Sequence, residues 1–248
     1  MKRREVLTWA GIGVGIAIAN RLPLLVKGRG DLDYLGEFAK KLTRPVIGAA
    51  AQAATPDQDQ SAEQTVAIAM LRTIPSAEGT WYPGKQTCKD GVWTSGSLCD
   101  SYRIIFTYQE FESFKDHPRL LCGDCPLCSD AAGSFQWLST HYDNLVKANR
   151  NRFNWDANEY FSPTNQDVAT LFRIGAEGAY WLMLDGVSVD EQGKLSVDKG
   201  TFEKWCWQIA GTWAGIPRYW TDTKGYHGQG CKPMPWLWKV FNQQLGTA

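Results

Sequence analysis

The chain has no excess of charge of either sign, since 26 Lys and Arg balance 26 Asp and Glu over 248 residues. That removes the broad basic field on which non-specific binding to nucleic acid or anionic lipid depends, so a ligand has to be held by a local site. Histidine is scarce: His117, His141 and His227 are the only three, and none stands at a diagnostic spacing from a cysteine, so a Cys–His nucleophile finds no support. Internal repeats are absent, which excludes solenoids and propellers. No apolar run reaches the roughly 20 residues of a comfortable membrane span. What the chain does have is apolar bulk, with 44% hydrophobic residues and 12 tryptophans, enough for a sizeable core.

The first residues, "MKRREVLTWAGIGVGIAIANRLP", combine a basic start, an apolar stretch from Val6 to Ala19 and a small-x-small end at Ala17-Ile18-Ala19. This is the pattern of an export signal, cleaved or kept as a weak signal anchor, over residues 1–30. Arg3-Arg4 resembles a twin-arginine signal, which carries folded chains. Removal of residues 1–19 takes three basic residues and one acidic residue and leaves a mildly acidic remainder. The expected location is the periplasm or cell envelope, with membrane attachment only through this segment. Residues 31–60, with an Ala-rich stretch and "DQDQ", read as a linker.

From Ser61 the pattern turns helical. "SAEQTVAIAMLRTI" opens on a capping-box spacing, Ser61 to Gln64, and sets Val66, Met70 and Ile74 on one stripe. "SFQWLSTHYDNLV", "SPTNQDVATLFRIGAEGAYWLM" and "TFEKWCWQIAGTW" repeat the helical period, the last with Phe202, Trp205, Cys206, Ile209 and Trp213 in line, and Ser162-Pro163 is a strong helix start. "YRIIF" and "FESF", joined by "TYQE", read as short paired strands. The fold class is therefore α+β, mainly helical, with a small antiparallel sheet lobe and a cleft between lobes, over residues 61–248.

Glu78 is the anomaly in this pattern. It continues the apolar stripe by one more step of four, at a helix C-terminus, where the macrodipole disfavours negative charge and Gly79 offers a stop. Pro75 is expected to kink or end the helix near Ile74. Two readings stand: an acid on a solvated helix end paired with a nearby cation, or a carboxyl held in an apolar cleft, where desolvation keeps it protonated as a general acid.

In an exported chain, seven cysteines are read first as disulfides, and an odd number leaves at least one thiol over. Cys88 and Cys99 flank a Gly- and Ser-rich loop and are the favoured pair. Cys122, Cys125 and Cys128 have the spacing of a metal knuckle, with Cys231, Asp124 or His117 as a fourth ligand, but the compartment favours disulfides over metal. Cys206 lies on an apolar stripe and reads as a buried thiol. No cofactor or catalytic metal is expected.

The order of short segments, "EGT" at 78–80, "DHPR" at 116–119, "AAGSFQ" at 131–136, "FSPTNQD" at 161–167, "WAGIP" at 213–217 and then "YHGQ" at 226–229, resembles the lambda-phage endolysin family of lysozyme-like lytic transglycosylases. The likeness covers about residues 63–230, with Ser134 where the family carries arginine and His227 interrupting the closing motif. It implies a lysozyme-like catalytic domain acting, as a monomer, on peptidoglycan glycan strands. Glu78 would be the catalytic acid that cleaves the MurNAc-GlcNAc β-1,4 bond and then the base that closes a 1,6-anhydro ring. Gln136, with an amide that both donates and accepts, is a substrate-binding candidate. Tyr226 and Gln229 follow from the resemblance, and Phe135 beside Trp137 offers a sugar platform. Hydrolysis would instead need a second carboxylate about 5 to 9.5 Å away, for which Asp90, Asp100 and Asp116 are candidates. A lysozyme-like fold that only binds the wall is the third reading.

Overall fold

The computed structural model describes residues 62–81, 101–106, 109–121, 129–149, 159–225 and 230–246, together with the backbone of 86–87 and 93–94. The N-terminal segment, the linker and Ser61 lie outside the described residues. The described chain is α+β and mainly helical, with six α-helices.

Helix α1 (Ala62–Glu78) buries Val66, Met70 and Ile74 completely. Contrary to the expectation from Pro75, the helix runs through it to Glu78. Three local bonds offset the lost backbone hydrogen bond: the Ser76 hydroxyl donates to the Arg72 carbonyl at 2.9 Å, and a Schellman pair closes the end. In that pair Thr80 N–H reaches the Pro75 carbonyl at 3.0 Å, and Gly79 N–H reaches Ser76 at 3.3 Å. Gly79 supplies the left-handed φ of 81° that the motif requires.

The segment expected to form paired strands is looser than that. Ser101–Arg103 is a turn of 3-10 helix, followed by single bridges between Ile104 and Glu110 and between Ile105 and Ala132. Short regular ladders occur elsewhere: β1 (Gln86–Thr87) pairs with β2 (Trp93–Thr94), and β3 (Val187–Val189) pairs with β4 (Leu195–Val197), both antiparallel.

The expected helix beginning near Ser134 starts later, as α2 (Ser139–Ala148). Residues 133–136 form a tight reversal, with Gly133 at φ 76° and Gln136 at φ 49°, locked by reciprocal backbone bonds between Ala132 and Trp137. The next helical stretch divides in two, α3 (Pro163–Ala176) and α4 (Ala179–Asp185), because Gly178 at φ 77° breaks it. Ser162 caps α3 as its sequence suggested, accepting from Asn165 N–H at 3.3 Å. Asp198 does the same for α5 (Lys199–Ile209) through Thr201 N–H at 3.0 Å.

Helix α6 (Met234–Gln244) packs along α1, α5 rests on both α4 and α6, and α3 bridges α1 to α2 and α4. The full stripe Phe202, Trp205, Cys206, Ile209 and Trp213 is buried in the shared core. Cys206 is a free thiol there, and burial pushes its pKa well up.

Candidate active site

The end of α1 delivers Glu78 to a cleft of about 850 Å³. One wall is the reversal at 131–138, another is the 211–215 loop with residues 230–232, and Phe106 and Leu121 stand at its edge. Glu78 is half-buried, and its Oε1 accepts the Gly215 amide proton at 3.0 Å. Burial raises its pKa from 4.5 to about 7, against the opposing pull of the Gly215 hydrogen bond and the positive charge of Lys232. Near neutrality the carboxyl is thus divided between its two protonation states, which suits a group that must first give and later take a proton.

Gly215 makes this geometry possible. A Cβ at that position would lie 2.3 Å from the Ala77 carbonyl oxygen, so only glycine lets the loop approach the helix end closely enough. The Gly215 carbonyl in turn accepts from Lys232 N–H at 3.1 Å, which brings the Lys232 segment to the cleft wall.

The opposite wall is held by Gln166, which lies in the "FSPTNQD" segment and had no role predicted for it. Its side chain is wholly buried and fully used: Oε1 accepts Ser134 N–H at 3.0 Å, while Nε2 donates to the carbonyls of Tyr102 at 3.1 Å and Phe161 at 2.8 Å. It lies against Gly133, where a Cβ would come within 2.1 Å of its oxygen. Thr80, two residues after the acid, donates its hydroxyl to the Ser134 carbonyl, and Ser134 Oγ donates to Ser101 Oγ at 2.8 Å. Ser134 is thus a buried knot between the acid's segment and the reversal.

Gln136 lines the cleft. Its Nε2 closes the reversal by donating to Ile104 and Gly133 carbonyls at 3.2 and 3.0 Å, so its donors are occupied and Oε1 is the atom left to accept from a ligand. The Phe135 platform needs correction. The left-handed Gln136 turns the preceding side chain inward, and Phe135 is completely buried with its ring edge-on to Tyr102, so no sugar can stack on it. Its carbonyl serves instead, accepting Trp213 Nε1–H at 3.1 Å. Trp137 shows the cleft only an edge, with Nε1 donating to Thr170 Oγ1 at 3.1 Å. Tyr226 and Gln229 lie outside the described residues.

The "DHPR" segment is structural. His117 is buried; its Nε2–H donates to the Trp137 carbonyl at 2.7 Å and its Nδ1 accepts Arg119 N–H at 3.1 Å. Burial lowers its pKa, so it is neutral, and with both ring nitrogens engaged it is no metal ligand. Arg119 pairs with Asp116 at 3.2 Å and Asp143 at 2.8 Å. Asp116 therefore answers to an arginine and is absent from the cleft lining. Asp90, Asp100, Asp124 and the cysteines 88, 99, 122, 125 and 128 lie outside the described residues. Cys231 is a free, half-buried thiol on the cleft wall. The carboxylate that joins Glu78 in the cleft, among the described residues, is Asp130, which accepts the Ser139 hydroxyl proton. Its place after a cysteine cluster gave no sequence signal.

A helix-end carboxyl whose proton is held by burial toward neutrality, set in a cleft of a mainly helical α+β domain, fits a lysozyme-like glycosidase. A family model described as Endolysin matches residues 68–248, and the chain belongs to that family, whose members degrade peptidoglycan. Among solved structures it is similar to bacteriophage lambda lysozyme complexed with a chitohexasaccharide, with 22% identity, a TM-score of 0.51, and coverage of 75% of this chain and 96% of that one. A second structure of lysozyme from bacteriophage lambda is 20% identical with a TM-score of 0.46, covering 74% of this chain and 91% of the other. In comparison with curated proteins, no match was found.

Proposed function

We propose that this enzyme is a peptidoglycan lytic transglycosylase, with Glu78 as both acid and base. The observation that carries the reading is the Glu78 carboxyl itself, placed in the cleft with a pKa of about 7. It protonates the glycosidic oxygen as the MurNAc-GlcNAc β-1,4 bond breaks. Charge at the anomeric carbon is met by the substrate's own acetamido carbonyl, which relieves the enzyme of a second carboxylate. The ionised Glu78 then accepts the proton of the muramoyl C6 hydroxyl, whose oxygen attacks the anomeric carbon and closes the 1,6-anhydro ring. Gln136 Oε1 accepts from an acetamido N–H along the wall, with Tyr226 and Gln229 assigned to the substrate by resemblance. A cleft of about 850 Å³ suits a glycan, and the lambda lysozyme of similar fold was solved with a chitohexasaccharide. The enzyme acts as a monomer in the periplasm or cell envelope, reached through the N-terminal signal.

Asp130 favours a second reading, hydrolysis, because it is a further carboxylate on the same cleft. Mass spectrometry of muropeptides released from purified peptidoglycan separates the two. Products one water lighter than reducing-end fragments are expected; reducing-end products overturn transglycosylation, and no release by folded protein overturns both.

A further inference from the structure

Aromatic rings pack against one another through the core, yet among the described residues Phe106, Trp207 and Tyr219 stand exposed, and the last two lie together away from the cleft.
Trp207 is 55% exposed and Tyr219 is 49% exposed, and both line one depression of about 500 Å³ that shares no residue with the catalytic cleft. We propose that this depression is a second glycan-binding site, which holds the polymer while the cleft cuts it; the proposal rests on the reading of peptidoglycan as substrate.

The exposure of Trp207 is not a by-product of packing. On α5 the core is satisfied by Phe202, Trp205, Cys206 and Ile209, and Trp207 projects from a different face. Tryptophan is no better a helix former than the common polar residues, so local propensity gives no reason for it there. Tyr219 is presented by a turn fixed from below: Asp222 Oδ2 accepts the amide protons of Arg218 at 2.8 Å and Tyr219 at 3.0 Å, and Asp222 N–H returns to the Tyr219 carbonyl at 3.1 Å. The Arg218 guanidinium lies 5.9 Å from the Tyr219 ring centroid. Leu182 from α4 completes the apolar floor.

The rim decides the occupant. Glu203 and Lys204 precede Trp207 by four and three residues, so they share its helix face, and Arg218 closes the other side. A surface with both signs beside two amphipathic rings is poorly matched to a polyanion such as nucleic acid, or to an anionic lipid surface. It suits a pyranose chain, whose C–H face lies on an aromatic ring while its hydroxyls meet carboxylate, ammonium and guanidinium groups at the ring edge. The depression is of a size to take one or two sugar rings. For an enzyme working on an insoluble network, a second hold raises the local concentration of strand at the cleft without any new catalytic group.

The test uses the full chain carrying Glu78→Gln, so that the probe is not consumed, titrated with soluble glycan fragments of peptidoglycan. The indole N–H signal of Trp207, assigned by its loss in Trp207→Phe, is expected to shift on titration. Perturbation confined to the cleft tryptophans overturns the second site while leaving the cleft reading intact. In parent protein, Trp207→Ala with Tyr219→Ala is expected to lower the rate on intact sacculi five- to tenfold and leave the rate on short soluble fragments unchanged. Equal losses on both substrates, or on neither, also overturn the proposal. Activity of the unaltered protein on soluble fragments reports separately on the catalytic reading.

Discussion

Gly215 and Glu78 meet through a backbone amide and a carboxylate oxygen 3.0 Å apart, in a gap too narrow for any side chain at 215. The same contact that binds the carboxylate also moderates its pKa, since the amide favours the ionised form that burial opposes.

Gly215→Ala tests the fit. Its Cβ would stand 2.3 and 2.6 Å from the Ala77 carbonyl oxygen and carbon, which are backbone atoms at a capped helix end and cannot swing aside. A loss of about 1–3 kcal/mol in stability is expected from the forced shift, with activity falling more than about tenfold because a small displacement of a positioned group is amplified in rate. Denaturant melts and turnover of peptidoglycan measure the two effects. An alanine variant as active as the parent would show that the close approach is dispensable.

Glu78 also gives the fold a pH dependence of defined sign. The unfolded chain releases this proton near pH 4.5 and the folded protein near 7, so between these values the native state binds more protons. Stability due to this group therefore falls as pH rises through that window, with no penalty below 4.5 and the full penalty above 7. Glu78→Gln keeps an oxygen for the Gly215 amide and does not titrate. It is expected to match the parent at pH 4 and to exceed it at pH 8 by about 1–3 kcal/mol, while activity drops about a hundredfold or more. A stability difference independent of pH would sink the argument.

Gln166→Leu should be among the most damaging single changes in the domain. It removes the hydrogen-bond partner of Ser134 N–H and a donor to each of the Tyr102 and Phe161 carbonyls, and each buried polar group left unmet costs about 1–3 kcal/mol. Thermal unfolding of the variant is expected to be far below that of the parent. A variant within a degree or two of the parent would mean that the wall of the cleft is held by other means.

Asp130→Asn separates the two chemistries. If Glu78 works alone, anhydro products persist at a rate within about tenfold of the parent, whereas a hydrolytic nucleophile or water-positioning base would lose about 10² or more. Product masses and rates from one digest answer the question.

The place of Glu78 at a helix end, the buried stripes of α1 and α5, and the Ser162 cap were legible because each rests on local rules of period and capping. Local rules also misled where non-local bonds dominate. Pro75 stays helical because Ser76 and the Schellman pair meet the needs of the last turn. Gln136 takes a left-handed φ because Gln166 and the bridge to Trp137 fix the reversal from outside it, and that inversion sends Phe135 into the core. Asp130 carried no signal of its own, and Gln166 stood inside the "FSPTNQD" segment without its role being legible, because a buried glutamine is defined by its distant partners. The β3–β4 hairpin was readable and missed, since "VSVDEQGKLSV" alternates around a turn in which Asp190 Oδ1 accepts Gln192 and Lys194 amides at 3.0 and 2.8 Å.

Helix α1, which carries Glu78, lies along α6, and Arg72 donates to Gln244 near the far end of the sequence. During synthesis the helix that carries Glu78 therefore emerges well before the helix it packs along. Contacts so widely separated in sequence form late, because the long intervening chain must first be closed. A nascent chain that has not yet released α6 carries Glu78 on a helix whose apolar stripe still lacks its main packing partner. The order of the elements makes the helix that presents Glu78 depend on a partner encoded far downstream of it.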